Sequence, residues 1–464
     1  MRRVLLVWSQ LLLGTGALFL AAPVRAQDAQ YWTQQYGGSA DLLGGMVVGS
    51  VVDLSTTFYN PAGLAFYTSP SIVLSAKGYE YQSIKVEGGT GFGSNLNSTK
   101  FSEGPGLFAG SLTFNPLKGH RFAYSLLTRQ SFDVRFDTRG TGQGDVLAEY
   151  PGSESYGGEI VIDQNLDDTW GGLTWAHAVG EKTGIGVTTY VAYRNQRSRA
   201  NNLLEALSSG GETAVAVRTS DISYNNFRLL WKAGVMWQSS ALSVGVTVTT
   251  PSLNITGSGW TLMNRTTVGV DLDGDGTPDD AVTANYQPDL KSEYKSPVSA
   301  AIGAAWTRGN TKVYASAEWF DSIDRYNVLN SVPFVSQTEG DTLQNEATAA
   351  ASSVFNAGIG LEQTLNPKVR FYGAFRTDAS SFVPYDGRQV SFSTWDIAHL
   401  SAGSGFTLGR FALTLGVSYS FGDHDVSEPF DLGEPSTTTF DPVGTRSVKY
   451  QRFKVLAGLN VGLD

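Results

Sequence analysis

The sequence predicts an all-β protein, a 14-stranded antiparallel transmembrane β-barrel. Two observations lead to this fold class. Six short connections alternate with seven long ones, as tight periplasmic turns alternate with long outer loops in bacterial barrels. The segments between them alternate apolar and polar residues with period two, as strands with one lipid-facing side do. Thirteen connections imply 14 strands, and this even number places both termini on the periplasmic side.

The segment 410–422 is the clearest of the predicted strands. One face is apolar throughout, while the other carries only small and polar residues. The apolar face consists of Phe411, Leu413, Leu415, Val417, Tyr419 and Phe421. The same alternation appears in the segments 242–248, 313–319, 355–361 and 453–463. A side chain facing lipid must be apolar, so the two faces of these segments predict which side chains point outward.

The connections divide the rest of the chain. Short turns are predicted near 115–120, 180–183, 238–241, 307–310, 364–368 and 408–410. Long loops are predicted near 88–103, 139–165, 200–216, 258–285, 326–349, 379–391 and 423–443. A soluble β-sandwich or β-propeller is the alternative, but the sequence shows no repeat of the roughly 40–50 residues that a propeller blade produces.

Residues 1–26 are predicted to be a signal peptide for export. Arg2 and Arg3 give the positive end, an apolar stretch follows, and Val24-Arg25-Ala26 provides the small residues of a cleavage site. The chain has no cysteine, which excludes disulfides and thiolate sites, and its net charge of −10 argues against nucleic acid as a partner. We therefore expect an exported protein of the bacterial outer membrane.

Residues 27–69 do not alternate and are rich in glycine. Eight strands already suffice for an interior that side chains fill, so a 14-stranded barrel needs something more in its lumen. A plug formed by residues 27–69 meets this need, with residues 70–464 forming the barrel. Pro61 fixes its own φ angle and restricts Asn60, which makes this part of the plug a rigid turn.

The run from Asp53 to Ala65, which contains Asn60-Pro61-Ala62-Gly63, resembles the hatch motif of the FadL family of outer-membrane transporters. The stretches 250–257 and 295–297 are also similar to that family. The resemblance implies a channel that imports long-chain fatty acids, aromatic hydrocarbons or similar hydrophobic molecules. It further implies that Asn60, Pro61, Ala62 and Gly63 hold a gate closed. Ligand would leave sideways into the membrane through a kinked strand, which we place at 120–138, where the alternation is poor.

A channel for such molecules needs an apolar pocket with a few polar groups that fix the ligand's orientation. The candidate ligand-binding residues are Phe58 and the cations Arg194, Arg370 and Arg376, each cation on the polar face of its strand. Lys454 lies on a polar face too. The alternative for each cation is a solvated charge or an ion pair inside the lumen, for instance with Glu318 or Glu362.

An acidic run in a predicted outer loop resembles a calcium loop. Asp271, Asp273 and Asp275 have the spacing of its first ligands, and Asp279 follows, but Val282 replaces the glutamate expected at the twelfth position. A structural Ca²⁺ and a solvated acidic loop are the two interpretations. No other cofactor is expected.

Two further function classes stay open. A hydrolase at the outer rim would use His424, but no nucleophile is marked by spacing, so we expect no enzyme. A general diffusion porin with an open polar lumen is the second alternative, and the plug argues against it. The expected partners are a hydrophobic small molecule, outer-membrane lipid and the barrel-assembly machinery.

Overall fold

The computed structural model places the chain in one barrel. It describes residues 28–67, 70–87, 95–112, 119–144, 150, 152–270, 277–384, 393–426 and 446–463. The predicted signal peptide, 1–26, lies outside the described residues. In the described part of the chain, no helix is long and apolar enough to cross a membrane.

The N-terminal segment carries three short helices, α1 (Ser39–Leu42), α2 (Thr56–Tyr59) and a 3₁₀-helix (Pro61–Phe66). The strands are β1 (Ser71–Val86), β2 (Leu96–Leu112), β3 (His120–Gly144), β4 (Glu154–Val179), β5 (Thr183–Leu207), β6 (Thr213–Gln238), β7 (Leu242–Thr249), β8 (Leu253–Val270), β9 (Asp279–Lys291), β10 (Ser299–Arg308), β11 (Thr311–Phe320), β12 (Ile323–Leu329), β13 (Phe334–Val335), β14 (Thr342–Leu343), β15 (Ala347–Ala351), β16 (Val354–Asn366), β17 (Val369–Asp378), β18 (Ile397–Leu408), β19 (Phe411–Val426) and β20 (Arg446–Gly462).

Fourteen strands close into an antiparallel ring, which confirms the predicted fold class. Their order around the ring is β1 to β7, then β10, β11 and β16 to β20, and β20 pairs with β1. Because β20 pairs with β1, the first and last strands of the described wall leave no open edge between them, and their backbone groups find partners within the barrel.

Two neighbouring strands of the ring are interrupted. The C-terminal part of β6, from Lys232 on, pairs with β7, and its N-terminal part, up to Leu229, pairs with β8. The strands β7 and β8 therefore continue one another across residues 250–252. The second interrupted strand consists of β9, which pairs with β8, and β10, which pairs with β7. The segment between β9 and β10, residues 292–298, therefore interrupts the wall, and it contains Pro297, which has no N–H to donate.

The predicted inward and outward faces agree with the structure. In β19, Leu415 and Val417 are exposed on the outer side, while Thr414, Ser418 and Ser420 are buried on the inner side. The exposed apolar side chains of the other strands belong to the same outer surface, for example Leu173, Val191, Val246, Ile302, Ile359 and Phe453. Such an apolar outer surface is typical of a barrel wall that faces lipid.

The predicted turns 180–183, 238–241, 307–310, 364–368 and 408–410 each coincide with a short connection, whereas 113–118 lies outside the described residues. Several predicted loops were wrong. Most of 139–165, 200–216 and 258–285 is strand, because β3 to β6 each run for 25 or 26 residues and β8 and β9 form a hairpin. About 9–11 residues suffice to span a membrane, so these strands extend well beyond it and carry more polar residues there.

Candidate functional site

The N-terminal segment, residues 28–67, lies inside the ring of strands. Most of its residues up to 65 are buried. It hydrogen-bonds to walls on different sides of the barrel: Ser401 Oγ on β18 donates to Leu42 O at 3.0 Å, and Asn60 Nδ2 donates to Val235 O on β6 at 3.2 Å. The segment therefore crosses the lumen.

The Asn60 side chain holds the turn that leads into the 3₁₀-helix. Its Oδ1 accepts a hydrogen bond from Ala62 N at 3.1 Å, and its Nδ2 donates to Val48 O at 2.8 Å. Pro61 takes the first helical position, where its missing N–H costs nothing. Asn60 is wholly buried, so each of these bonds replaces one that water would supply. Asn60, Pro61, Ala62 and Gly63 thus lie inside the ring of strands, and their role as a gate stays a prediction.

The preceding loop is fixed by the Asp53 carboxylate. Its oxygens accept hydrogen bonds from Gly38 N at 3.1 Å and Ser55 N at 2.8 Å. Burial raises the pKa of Asp53, and the hydrogen bonds from Ser55 and Gly38 oppose that rise because they stabilise the charged form. Two parts of the segment, around Gly38 and around Asp53, are thereby tied together inside the lumen.

Polar side chains of the wall hold the start of the segment. Asp378 on β17 accepts hydrogen bonds from Trp32 N at 2.7 Å and Thr33 Oγ1 at 2.6 Å. Arg376 Nε donates to Trp32 O at 3.2 Å, and Arg452 Nη2 on β20 donates to Thr33 O at 3.1 Å. These buried charge-assisted bonds fix the segment's backbone against one side of the barrel.

A β-bulge interrupts the wall at Arg129, within the stretch 120–138. The pairing of β3 with β4 shifts between Thr128 and Gln130, which leaves Arg129 as the extra residue. The pairing of β2 with β3 runs from Leu112 only as far as Leu107, opposite Leu127, in the residues that the structure describes. Beyond this point β2 continues its ladder with β1, and its ladder with β3 opens into a separation that side chains bridge further along, for example Ser98 Oγ with Arg135 N at 3.0 Å.

The N-terminal segment contacts the wall at this separation. Tyr36 Oη donates to Thr128 O at 2.9 Å, and the Arg129 guanidinium donates to Tyr31 O. Gln130 Nε2 donates to Gln30 O at 3.1 Å. The segment thus bonds to three consecutive wall residues at the bulge.

A pocket opens beside the bulge. Its empty space is about 580 Å³ when the open solvent at its mouth is included. Its aromatic walls are Tyr31, Phe58, Trp170, Tyr294 and Phe320. Its charged walls are Arg129, Lys232, Lys295, Asp168 and Glu318. The interrupted strand supplies residues 294–297, so one wall of the pocket is the break between β9 and β10.

Positive charge exceeds negative charge next to this pocket. Asp168 accepts from Arg228 Nη2 at 2.7 and 2.8 Å, and Arg194 Nη1 lies 3.5 Å from Asp168 Oδ2. Lys232 Nζ lies 3.9 Å from Glu318 Oε1 and 4.7 Å from the centre of the Phe58 ring.

The two buried arginines share one aromatic ring. The guanidiniums of Arg194 and Arg228 lie 3.8 Å and 4.8 Å from the centre of the Tyr294 ring. With Arg129 and Lys232 they make four cations against the two carboxylates Asp168 and Glu318, a surplus of positive charge in a buried place.

The structure brings only part of the predicted ligand set together. Phe58 lines the pocket, and Arg194 lies next to it, bonded to Gln130 Oε1 at 3.0 Å. Arg376 instead holds the N-terminal segment. Arg370 is half-exposed and 3.6 Å from Glu362, which is the ion-pair alternative.

Sequence reasoning missed the pocket residues Arg129, Asp168, Lys232 and Tyr294, and it missed Arg228 beside the pocket. The signal for three of them was present, because Asp168, Arg228 and Lys232 lie on inward faces of regularly alternating strands. Arg129 and Tyr294 lie at a bulge and a strand break, where alternation gives no direction.

Replacing Asp168 by Asn is expected to lower the free energy of unfolding by about 3–5 kcal/mol, since it leaves two buried arginines without their counter-charge. The measurement is urea unfolding in lipid vesicles, followed by tryptophan fluorescence. The matched control is Asp137→Asn, which breaks an exposed ion pair with Arg135 and should cost about 0–1 kcal/mol. Equal, small effects of the two substitutions would show that the Asp168 pair is not structural.

A second buried polar group has the composition of a hydrolase triad. His399 Nδ1 shares a hydrogen bond of 2.8 Å with Ser420 Oγ, and its Nε2 lies 3.5 Å from Asp378 Oδ2. All three side chains are at most 1% exposed, and Asp378 also binds the N-terminal segment. The 3.5 Å separation is longer than a good hydrogen bond. Through Asp378, this group joins the wall to the N-terminal segment. The rim residue His424 lies near the end of β19, on the same strand as Ser420.

The predicted calcium loop falls mostly outside the described residues, which exclude Asp271, Asp273 and Asp275. Asp279 begins β9. Within the described ranges, no group of three or more His, Cys, Asp or Glu is placed to hold a metal ion. Calcium binding stays a prediction.

No protein-family model and no curated protein matches the sequence. Solved structures do match. A FadL homologue from Pseudomonas aeruginosa superimposes with a TM-score of 0.60 at 12% identity, over 96% of this chain and 100% of that one.

Two toluene transporters are similar as well. TodX of Pseudomonas putida has a TM-score of 0.53 at 13% identity, with 93% of this chain and 99% of that one covered. TbuX of Ralstonia pickettii has a TM-score of 0.55 at 11% identity, with the same coverage. The resemblance to the FadL family is thereby confirmed at the level of the fold: this chain folds as these transporters do.

Proposed function

We propose that the protein is an outer-membrane channel that imports hydrophobic molecules carrying an acid group, and that it is not an enzyme. The observation that carries the proposal is the pocket of aromatic rings beside a buried surplus of cations. An apolar body would gain about 0.8 kcal/mol for each CH₂ buried against the rings. A carboxylate would balance the extra positive charge.

The state of Arg228 supports an anionic ligand. Its Nη2 binds Asp168, but among the described residues its Nε and Nη1 have no hydrogen-bond partner, although they are buried. Buried donors without partners are costly, so an acceptor from a ligand would stabilise this arrangement. Lys232 is the second candidate partner for the ligand's acid group, because it lines the pocket directly. Its distance of 3.9 Å from Glu318 is too long for a hydrogen bond, so its N–H groups can still bind a ligand.

The N-terminal segment would act as the hatch. It covers the bulge at Arg129 through Tyr31 and Tyr36, where β2 and β3 separate. A shift of the segment would release the Thr128 carbonyl and the Arg129 side chain, and would open a lateral route from the pocket to the membrane. The turn at Asn60 would hold the hatch in its closed position. Binding and the concentration gradient would drive this import without a cofactor.

The rest of the proposal concerns location and partners. The apolar outer surface of the barrel fits outer-membrane lipid. Export would use the predicted signal peptide, and insertion would use the barrel-assembly machinery. A general porin is the weaker alternative, because the segment 28–67 fills the lumen that a porin keeps open.

Replacing Lys232 by Met is expected to weaken binding of a long-chain carboxylate by about tenfold or more, since hydrogen bonds to charged groups contribute roughly 1.5–3 kcal/mol. Binding of the alcohol of equal chain length should change little. The measurement is titration calorimetry of the barrel in lipid nanodiscs with both ligands.

The control for this prediction is Lys449→Met, which removes an exposed cation paired with Glu87 on the outer side. It should leave both affinities unchanged. If the wild type binds the alcohol as tightly as the carboxylate, the ligand class proposed here is wrong and a neutral hydrocarbon becomes the better candidate.

A further inference from the structure

Wall glycines surround the turn at Asn60, and each lies on an inward face of its strand. A Cβ at Gly186 on β5 would come within 2.5 Å of the Pro61 carbonyl carbon and 2.7 Å of Ala62 N. A Cβ at Gly245 on β7 would lie 2.2 Å from Val48 O. These neighbours are backbone atoms, which cannot rotate away as a side chain would.

The third glycine, Gly234 on β6, lies between these two strands. A Cβ there would come within 2.1 Å of Asn60 Oδ1. Gly186 pairs directly with Gly234 across the strands, and Met236 pairs with Gly245. The three glycines therefore line one continuous recess in the wall, which is occupied by the Asn60 turn.

The recess has a chemical consequence as well as a steric one. Asn60 Nδ2 reaches Val235 O at 3.2 Å, a hydrogen bond between the N-terminal segment and the wall next to Gly234. The closed position of the turn depends on this close approach. Interiors are packed densely enough that one added methyl group forces the backbone to move.

We propose that Gly186, Gly234 and Gly245 are positioning residues that seat the hatch, so that the recess they form sets how tightly the closed channel excludes small polar solutes. The proposal rests on the hatch role given under the proposed function. It adds that the seal is determined by the wall as much as by the segment itself.

The experiment is a graded series of alanine substitutions in a chain whose other residues are unchanged. Gly171→Ala is the control, because a Cβ there has its nearest neighbour, Val191 O, at 3.9 Å. Gly360→Ala is intermediate, with Leu43 O at 3.1 Å, and Gly186→Ala is severe. Leak is measured as swelling of proteoliposomes in small sugars, and assembly as heat-modifiable mobility in gels.

Leak should rise in the order Gly171→Ala, Gly360→Ala, Gly186→Ala. The overpacking caused by Gly186→Ala should shift the equilibrium between the closed and the open channel about tenfold or more toward the open channel. Gly171→Ala should match the wild type. A simple defect in barrel stability would lower the folded fraction without changing the leak per folded barrel.

Equal leak for all folded variants overturns the proposal. If Gly186→Ala does not assemble, Gly234→Ala against Gly171→Ala still decides, because a Cβ at Gly234 meets the Asn60 side chain rather than backbone, and equal leak in that pair is the overturning result. Import of a long-chain carboxylate is measured separately in the wild type. If the wild type does not import the carboxylate but the order of leak among the variants is as expected, the transport proposal is refuted and the proposal about the three glycines is retained.

Discussion

Deletion of residues 28–67 is expected to turn a nearly closed channel into an open, ohmic pore. The segment fills the lumen at almost every residue, and a ring of 14 strands is wider than its own side chains can fill. Water and ions would occupy the vacated space. The measurement is single-channel conductance in a planar bilayer, with and without the segment, and we expect an increase of at least an order of magnitude.

The control for the deletion is assembly of the barrel, judged from heat-modifiable mobility and resistance to protease. The wall pairs continuously through β20 and β1 without help from the segment, so assembly should be retained. A full-length protein that already conducts steadily would contradict the hatch. A general porin would then be the better interpretation.

Deletion of Arg129 is expected to abolish delivery of ligand from the pocket into the membrane. Thr128 pairs with Thr169 and Gln130 with Asp168, so Arg129 is the extra residue of the bulge and its removal restores a regular ladder. The residues after Arg129 keep their inward and outward directions, because their pairing with β4 already resumes at Gln130. A straight β3 would be free to extend its pairing with β2 past Leu127 and close the separation.

The matched variant is Arg129→Ala. It keeps the extra residue and removes only the guanidinium that donates to Tyr31 O. Transfer of a fluorescent long-chain carboxylate into proteoliposomes compares the two. We expect near-background transfer for the deletion and partial transfer for Arg129→Ala. Wild-type transfer by the deletion variant would exclude the bulge as the exit.

The sequence by itself determined the fold class, the inward and outward faces and most of the short turns. The reason is local: a strand that faces lipid must alternate with period two, and each tight turn lies between two such runs. The Asn60 turn was also readable, since Pro61 fixes its own backbone and restricts that of Asn60.

The length of β3 to β6 was not readable in this way. Outside the membrane the outer face no longer has to be apolar, so the alternation fades while the pairing continues. Predicted loops such as 200–216 are therefore mostly strand. The extra residue at Arg129 broke the alternation, but only the partner strand showed that a bulge was the cause.

The pocket was decided by tertiary structure alone. Asp168 and Arg228 are 60 positions apart, and they meet because the stagger of β4, β5 and β6 brings them to one level of the lumen. Parity tells which side of the wall a side chain faces, but not its height along the barrel. That height depends on the register between strands and on the segment that crosses the lumen, which are properties of the whole ring.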